Sequence, residues 1–214
     1  MSDMKVKICG LTQPSHVAEA VAAGADYLGF NFFPKSPRYV SHATAAGLMS
    51  GVPERVANVA LVVNASDEEL GALIATAGPD ILQLHGSETP ERVAEVKTRF
   101  GLPVMKAIGI ATQSDLPQID AHGAVADLLL LDAKPPKGAD RPGGNAVAFD
   151  WSLLAGKDIA VPWLLAGGLG PVNVADAIQQ TGAVQVDVSS GVERAPGMKD
   201  PGLMHAFIKA ARAA

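Results

Sequence analysis

The chain has 214 residues, of which 48% are hydrophobic and 18% charged, and its 17 basic and 22 acidic residues leave a formal charge of −5. A chain of this size can bury a substantial core, and the acidic balance without a long Lys/Arg run argues against a nucleic acid partner. The single cysteine excludes an intramolecular disulfide, and no stretch approaches the ~18 consecutive apolar residues of a membrane span. The N-terminus also lacks the apolar block of a signal peptide, so we expect a cytoplasmic protein without a membrane partner.

Strand and helix signals alternate through the first half of the chain. The short β-branched run from Val6 to Ile8 predicts a strand that Gly10 ends. An alanine-rich helix follows and stops at Gly24, with Thr12 as its N-cap and Pro14 in its first turn. The later predictions of this half are strand 27–32, helix 41–49, strand 56–63, helix 67–77 capped by Ser66, strand 81–86 and helix 89–100.

The second half keeps the same alternation. It predicts strand 103–108, a weaker helix 113–121, strand 127–132, a long loop 133–147, a short helix from Asp150, strand 161–166, helix 172–180, strand 184–188 and a helix from about 202 to 213. Strands such as Leu128–Leu131 are continuously apolar, as expected when both faces are covered. About eight strand–helix units without a linker predict one (β/α)8 barrel domain over residues 1–214. A doubly wound open sheet is the competing fold, but no Gly-x-Gly-x-x-Gly follows the first strand.

Polar and glycine residues collect at the predicted carboxyl ends of the strands, where barrels of this kind place their active sites. These residues are Cys9, Asn31, Arg38 just beyond its strand, Asn64, His85, Asp132, Gly167-Gly168 and Ser189-Ser190-Gly191. The pattern therefore predicts a site at this rim of the barrel.

Two of these residues have the chemistry of a base and an acid. Lys7 and Cys9 are two apart on a strand and share a face, and a nearby ammonium favours the reactive thiolate. A small buried hydrophobe is the alternative for a lone cysteine. Asp132 ends a run of four leucines, and apolar walls favour the protonated carboxyl that can act as an acid. A helix cap or loop carboxylate is its alternative.

The other rim residues suit the binding of an anionic ligand. Gly167-Gly168 and Ser189-Ser190-Gly191 follow strands seven and eight, where such barrels commonly bind phosphate, although ordinary turns would use the same residues. The Arg38 fork matches a carboxylate, unless this arginine is simply solvated. His85 is treated as a supporting residue, since a strand-end histidine is more often structural. Asp187 is counted with the substrate-binding residues, although it could orient a partner or pair with Lys7.

With these pieces in place, the chain resembles the phosphoribosylanthranilate isomerase family. The matching stretches are Lys7-Ile8-Cys9-Gly10-Leu11-Thr12, Gly29-Phe30 through Ser36-Pro37-Arg38-Tyr39-Val40, Gln83-Leu84-His85-Gly86, Leu131-Asp132, Phe149-Asp150-Trp151, Ala166-Gly167-Gly168-Leu169 and Val186-Asp187-Val188-Ser189-Ser190-Gly191-Val192-Glu193. One departure lies in the sixth loop: the family commonly shows Gly-Gly-Thr-Gly there, whereas this chain has Gly143-Gly144-Asn145-Ala146.

The resemblance implies an Amadori rearrangement of a sugar phosphate, in which an N-linked aminoaldose phosphate becomes an aminoketose phosphate. It assigns Asp132 as the acid that opens the ribose ring and Cys9 as the base that removes the C2 proton. Arg38 would hold the anthranilate carboxylate, and the loops at Gly167-Gly168 and Ser189–Gly191 would hold the phosphate. The resemblance implies no cofactor and no metal, because the substrate nitrogen is the electron sink. We expect the protein to be a monomer or a homodimer.

Two other functions stay open at this point. One is a related sugar-phosphate barrel enzyme, such as a synthase that closes an indole ring or an isomerase of histidine synthesis. The Lys7-Ile8-Cys9-Gly10 stretch argues against it. The other is a non-catalytic phosphate-binding barrel, which would have no need of both Cys9 and Asp132 at strand ends. A turnover assay with phosphoribosylanthranilate separates these possibilities.

Overall fold

The computed structural model describes residues 4–134 and 149–214, and eight parallel strands in these ranges form a closed barrel in the order β1 to β8. The strands are β1 Lys5–Cys9, β2 Tyr27–Asn31, β3 Ala57–Val62, β4 Ile81–Leu84, β5 Val104–Ile110, β6 Leu128–Ala133, β7 Trp163–Leu165 and β8 Gln185–Val188. The barrel closes where β1 pairs with β8, with Lys7 opposite Asp187. The predicted (β/α)8 barrel is therefore confirmed.

The helices follow the strands along the chain and lie outside the barrel. They are α1 Pro14–Ala23, α2 His42–Met49, α3 Asp67–Ala77, α4 Pro90–Phe100, α5 Pro117–Gly123, α6 Val174–Thr181 and α7 Pro201–Arg212. Short 3₁₀ helices span Gln113–Asp115, Trp151–Leu154 and Ser190–Val192, and a small hairpin is formed by β9 Glu193–Ala195 and β10 Met198–Lys199. No helix in the described ranges is both long and apolar enough to cross a membrane.

Side chains of each strand alternate between the barrel interior and the layer under the helices. One apolar cluster fills the interior, with Tyr27, Val59, Ile81, Met105, Ala107, Leu130, Leu164 and Ala166. A larger cluster lies between the strands and the helices, and it includes Val6 and Ile8 of β1. Because both faces of the sheet are covered, consecutive residues of a strand are apolar. A polar residue inside the barrel, such as Lys7, needs a partner.

Most predicted helix ends agree with the structure. Gly24 ends α1 with a left-handed φ of 94°, and Ser66 begins α3 in a capping box with Glu69. The prediction of Thr12 as the N-cap of α1 was wrong: Gln13 is at that position, and the Thr12 hydroxyl donates to the Gly197 carbonyl oxygen instead. This contact depends on the β9–β10 hairpin, which local helix signals do not reveal.

Candidate active site

The predicted site residues lie at the carboxyl rim of the barrel, with Asp187 and Lys7 one layer below it. Cys9 is the last residue of β1, Asp132 is the second-last residue of β6, and His85 directly follows β4. Gly167-Gly168 and Ser189–Gly191 follow β7 and β8. The barrel thus gathers groups from distant parts of the sequence at one end, as a (β/α)8 enzyme site requires.

Cys9 is buried, at 5% exposure, with its side chain beside Gly29 of β2. A Cβ atom on Gly29 would lie 2.7 Å from the Cys9 sulfur and 3.0 Å from its Cα. Real Cβ atoms essentially never come that close, so the glycine leaves the space in which the thiol sits. Gly29 belongs to a stretch that matches the family, but its role depends on the pairing of Cys9 with Gly29 between β1 and β2, which the sequence does not reveal.

Lys7 points into the barrel below Cys9, as the strand alternation predicts, and its ammonium is 2.7 Å from Asp187 Oδ1. The alternative of a Lys7–Asp187 pair is confirmed. Burial acts to lower the pKa of Lys7, but the charges of Asp187 and Cys9 and their hydrogen bonds outweigh it, and the pKa is raised. Lys7 is therefore a buried, charged ammonium under the Cys9 thiol.

The surroundings of Cys9 raise its pKa, contrary to the expectation that they favour the thiolate. Burial is the largest cause, and the Lys7 charge acts in the opposite direction, as predicted. Asp187 adds to the upward shift and Lys199 opposes it. The direction of the Lys7 effect was right, but a sequence does not reveal how completely the thiol is removed from water.

Asp132 is 8% exposed and is held from two sides. Its Oδ1 atom accepts a hydrogen bond of 2.8 Å from the Ala133 amide, and its Oδ2 atom lies 3.3 Å from Nε2 of His85. Gly167 packs against this end of β6 with a φ of 85°; a Cβ there would lie 2.6 Å from the Ala133 nitrogen. Gly167 is needed for its left-handed conformation and for the close approach of the loop after β7 (loop seven) to Asp132.

His85 links Asp132 to the barrel interior. Its Nδ1 atom is 2.8 Å from the amide nitrogen of Gln83, which is fully buried in β4. With the amide nitrogen as donor, Nδ1 of His85 accepts, and a neutral ring then carries its proton on Nε2, facing Asp132. His85 is thus a direct neighbour of the predicted acid. Gln83 belongs to a stretch that matches the family, but its supporting contact with His85 was not predicted.

Arg38 is buried, at 5% exposure, so the alternative of a solvated arginine was wrong. Its Nε and Nη2 atoms donate to the two carboxylate oxygens of Glu193, at 2.8 and 2.7 Å. Gly10 has a φ of 79° and lies against the Arg38 side chain, where a Cβ would clash. Among the described residues, these contacts occupy one edge of the guanidinium fork and use two of its five N–H groups.

The loops after β7 and β8 meet at the rim. Gly191 is packed on the backbone of Leu169, so closely that a Cβ would overlap it. Asn173 braces loop seven, since its Oδ1 accepts from the Gly170 amide at 2.8 Å and its Nδ2 donates to the Gly168 carbonyl at 3.0 Å. Ser189, Ser190 and Gly191 are half-buried at this junction. The two loops therefore form one continuous backbone surface, as a shared anion site needs.

Two rim asparagines serve the loops. Asn31 Oδ1 accepts from the Phe33 amide at 2.8 Å. Asn64 has the left-handed φ of 51°, and its Oδ1 accepts from the Ser87 amide at 2.8 Å. These contacts are typical of asparagine in turns and involve no other candidate site residue.

Gly143-Gly144-Asn145-Ala146 lies outside the described residues. Within residues 4–134 and 149–214, no three His, Cys, Asp or Glu side chains are grouped in a way that could hold a metal ion.

Comparison with known proteins identifies similar chains over the whole length. A family model described as N-(5'phosphoribosyl)anthranilate (PRA) isomerase matches residues 6–210. The N-(5'-phosphoribosyl)anthranilate isomerase of Paracoccus denitrificans is 60% identical over 210 residues, which is 98% of each chain. That of Cereibacter sphaeroides strain ATCC 17023 is 56% identical over 212 residues, which is 99% of this chain and 100% of the relative.

Solved structures give the same result. The phosphoribosyl anthranilate isomerase of Thermotoga maritima has a TM-score of 0.88 and 36% identity, covering 99% of this chain and 100% of that one. The Thermotoga maritima enzyme is described as dimeric. A phosphoribosyl anthranilate isomerase in complex with reduced 1-(o-carboxyphenylamino)-1-deoxyribulose 5-phosphate has a TM-score of 0.86 and 34% identity, with 99% and 100% covered.

Proposed function

The chain belongs to the family of N-(5'-phosphoribosyl)anthranilate isomerases, and we propose that Cys9 and Asp132 are the base and the acid of the reaction that it catalyses. That reaction is the Amadori rearrangement of phosphoribosylanthranilate to 1-(o-carboxyphenylamino)-1-deoxyribulose 5-phosphate in tryptophan biosynthesis. The observation that carries the assignment is the location of a buried thiol on β1 and a hydrogen-bonded carboxyl on β6 at the same rim of the barrel.

The reaction needs one proton to be donated and one to be removed. Protonated Asp132 donates to the ribose ring oxygen, the bond from C1 to that oxygen breaks, and the nitrogen lone pair forms a Schiff base. The Cys9 thiolate then removes the C2 proton, and the electron pair moves through C1 to the nitrogen to give an enolamine. Tautomerisation gives the ketone, so the product has the same atoms as the substrate. Each residue contributes as a positioned acid or base, typically worth about 10² to 10⁴-fold.

The two anionic ends of the substrate match the two anion-binding features of the rim. Arg38 uses two N–H groups on Glu193 and has three others, on the remaining edge of its fork, with which to bind the anthranilate carboxylate. The backbone of loops seven and eight, at Gly167-Gly168 and Ser189–Gly191, would bind the phosphate.

Three residues behind these groups would act through them. Lys7 supplies a positive charge below Cys9 and favours the thiolate, while Asp187 holds Lys7 in place rather than contacting substrate. His85 directs an N–H at Asp132 and stabilises the negative charge that develops there as the proton leaves.

Turnover of phosphoribosylanthranilate, followed by the loss of its fluorescence, tests this proposal. We expect Cys9→Ala and Asp132→Asn each to lower kcat by at least about 100-fold. Both variants should still bind the reduced product analogue, which shows that the site is intact. Near-normal kcat in Cys9→Ala would mean that the thiol is only a packing residue and that the mechanism is wrong.

Location and assembly complete the proposal. A buried free cysteine that must stay reduced suits the cytosol, where thiols persist. The protein would work as a monomer or, like the Thermotoga maritima relative, as a homodimer. Light scattering at assay concentration decides between these two states.

A further inference from the structure

Lys199 is a buried cation near the end of the chain that the reaction steps above do not use. It lies in β10, and its side chain is 0% exposed. A lysine is almost never fully buried unless it is paired. Lys199 donates to Oε1 of Glu193 at 2.7 Å and to the Ser189 carbonyl oxygen at 2.9 Å, and its ammonium lies 3.5 Å from the Ser189 hydroxyl.

Glu193 connects Lys199 to Arg38. Oε1 of Glu193 accepts from both Lys199 and Arg38, and Oε2 accepts from Arg38. Burial alone would raise the pKa of Glu193, but the hydrogen bonds and charges of Arg38 and Lys199 outweigh it, and the pKa is lowered. One carboxylate is thus shared by two basic side chains. Burial lowers the pKa of Lys199, and the charge and hydrogen bond of Glu193 oppose that shift.

Ser189 connects Lys199 to the other parts of the site. The Ser189 hydroxyl donates to the Cys9 carbonyl oxygen at 3.1 Å, so the start of loop eight is tied to the end of β1. Because Lys199 holds both the carbonyl and the hydroxyl of Ser189, it fixes the backbone from which the amides of Ser190 and Gly191 project. An ammonium has three donors, and these contacts use all of them.

We propose that Lys199 is a positioning residue that couples the carboxylate end of the substrate site to the phosphate end. Through Glu193 it orients the free edge of the Arg38 fork, and through Ser189 it sets the direction of the loop-eight amides. The identity of the two ligand ends rests on the proposed function, whereas the coupling rests on the contacts of Lys199.

The same residue acts on the base by charge. Lys199 opposes the upward pKa shift that burial imposes on Cys9, although less strongly than Lys7 does. Removing the Lys199 charge should therefore raise the pKa of Cys9 further and move the inflection of its thiolate absorbance to higher pH.

The experiment compares ligands that occupy the carboxylate end, the phosphate end or both ends of the substrate site. The probes are inorganic phosphate for loops seven and eight, anthranilate for Arg38, and the reduced product analogue for both, with Kd measured by calorimetry. In Lys199→Met we expect the Kd of each probe and the KM for phosphoribosylanthranilate to rise by at least about 10-fold, as for loss of one hydrogen bond to a charged group. Lys199→Arg, which keeps the charge, should restore part of the affinity.

A double-mutant cycle tests the coupling itself. Lys199→Met should weaken analogue binding less in the Arg38→Ala background than in the wild type, because part of its effect passes through Arg38. Lys199→Met also leaves the Glu193 carboxylate partly unpaired and could unfold the chain. The variant Lys199→Met with Glu193→Gln removes both charges, and its comparison with Glu193→Gln alone keeps the test available.

Lys106→Met is the matched control. Lys106 is also buried and forms an ion pair of 2.9 Å with a buried glutamate, Glu88, but on β5 away from loops seven and eight. The Lys106→Met substitution should lower the melting temperature and leave phosphate affinity unchanged.

A Lys199→Met protein that is folded and keeps wild-type phosphate and anthranilate affinities would overturn the proposal. Additive effects in the double-mutant cycle would also overturn it. If the wild type fails to turn over substrate, the proposed function fails, while the phosphate and anthranilate titrations still decide the role of Lys199.

Discussion

Nε2 of His85 lies 3.3 Å from Oδ2 of Asp132, and Gln83 faces the other ring nitrogen of the histidine at 2.8 Å. This chain of three residues fixes which nitrogen of the ring can donate to the carboxyl. Asp132 becomes negative as it gives up its proton, so a donor already aimed at it stabilises the transition state more than the ground state.

Replacement of His85 should therefore reduce kcat more than it changes KM. Loss of one hydrogen bond to a charged group corresponds to roughly 10- to 100-fold, and we expect a fall of this size in His85→Ala. His85→Gln can still present an N–H and should retain more of the rate. Steady-state kinetics on both variants measure this. A His85→Ala enzyme with normal kcat and only a lower melting temperature would show that His85 is only a packing residue.

The pH dependence of the reaction should follow Cys9. Burial raises the pKa of this thiol, so the thiolate fraction at a given pH is smaller than for a free cysteine and grows as pH rises through the higher pKa. We expect the thiol to ionise with an inflection above pH ~8.5, the ordinary pKa of a free thiol. The ultraviolet absorbance of the thiolate reports the same ionisation directly, because this chain has a single cysteine.

Cys9→Ala is the blank for that titration, since it removes the thiolate signal and leaves the tyrosines. An inflection below pH ~8.5 would show that Lys7 and Lys199 outweigh burial, opposite to the direction inferred from the structure. Lys7→Met should move the inflection upward and slow turnover at neutral pH, with part of the rate recovered at higher pH.

Arg38 should affect binding more than chemistry. The carboxylate that it is proposed to hold does not change charge during the reaction, so Arg38→Ala removes uniform binding and should raise KM more than it lowers kcat. Affinity for anthranilate should fall while affinity for inorganic phosphate changes less. A normal KM with depressed kcat would reject this role, and Arg38→Lys tests whether the planar fork is needed.

Much of the site was predictable because parallel strands in a barrel end at one rim. Cys9 and Asp132 could be assigned to that rim from the alternation of strands and helices alone. The period of two along β1 also put Lys7 on the face of Cys9, and its partner Asp187 lies opposite it in the register of β1 with β8. These are local signals combined with one topological rule.

The remaining features depend on tertiary contacts that have no local signal. Lys199 reaches the site only because a hairpin after β8 turns it inward, and nothing in the spacing of that segment predicts a buried ammonium. The predicted direction of the pKa shift of Cys9 was wrong for the same reason. The charge of Lys7 is visible in the sequence, but the depth to which Cys9 is buried is not. Glu193 belongs to a stretch that matches the family, but its two basic partners come from β10 and the loop after β2, which the motif does not reveal.

Substitution of Gly29 tests whether β2 defines the space that the Cys9 thiol occupies. A Cβ at this position would lie 2.7 Å from the Cys9 sulfur, and no left-handed φ is involved, so the conflict is with the thiol and the backbone beside it. We expect Gly29→Ala to lower both kcat and the melting temperature, and to lower the melting temperature less in the Cys9→Ala background, where the sulfur is gone. Gly47→Ala is the control, because Gly47 is in α2 with nothing within 4 Å of an added Cβ, and alanine there should stabilise the helix by up to about 1 kcal/mol. If Gly29→Ala is as stable and active as the wild type, β2 does not define the space of the Cys9 thiol.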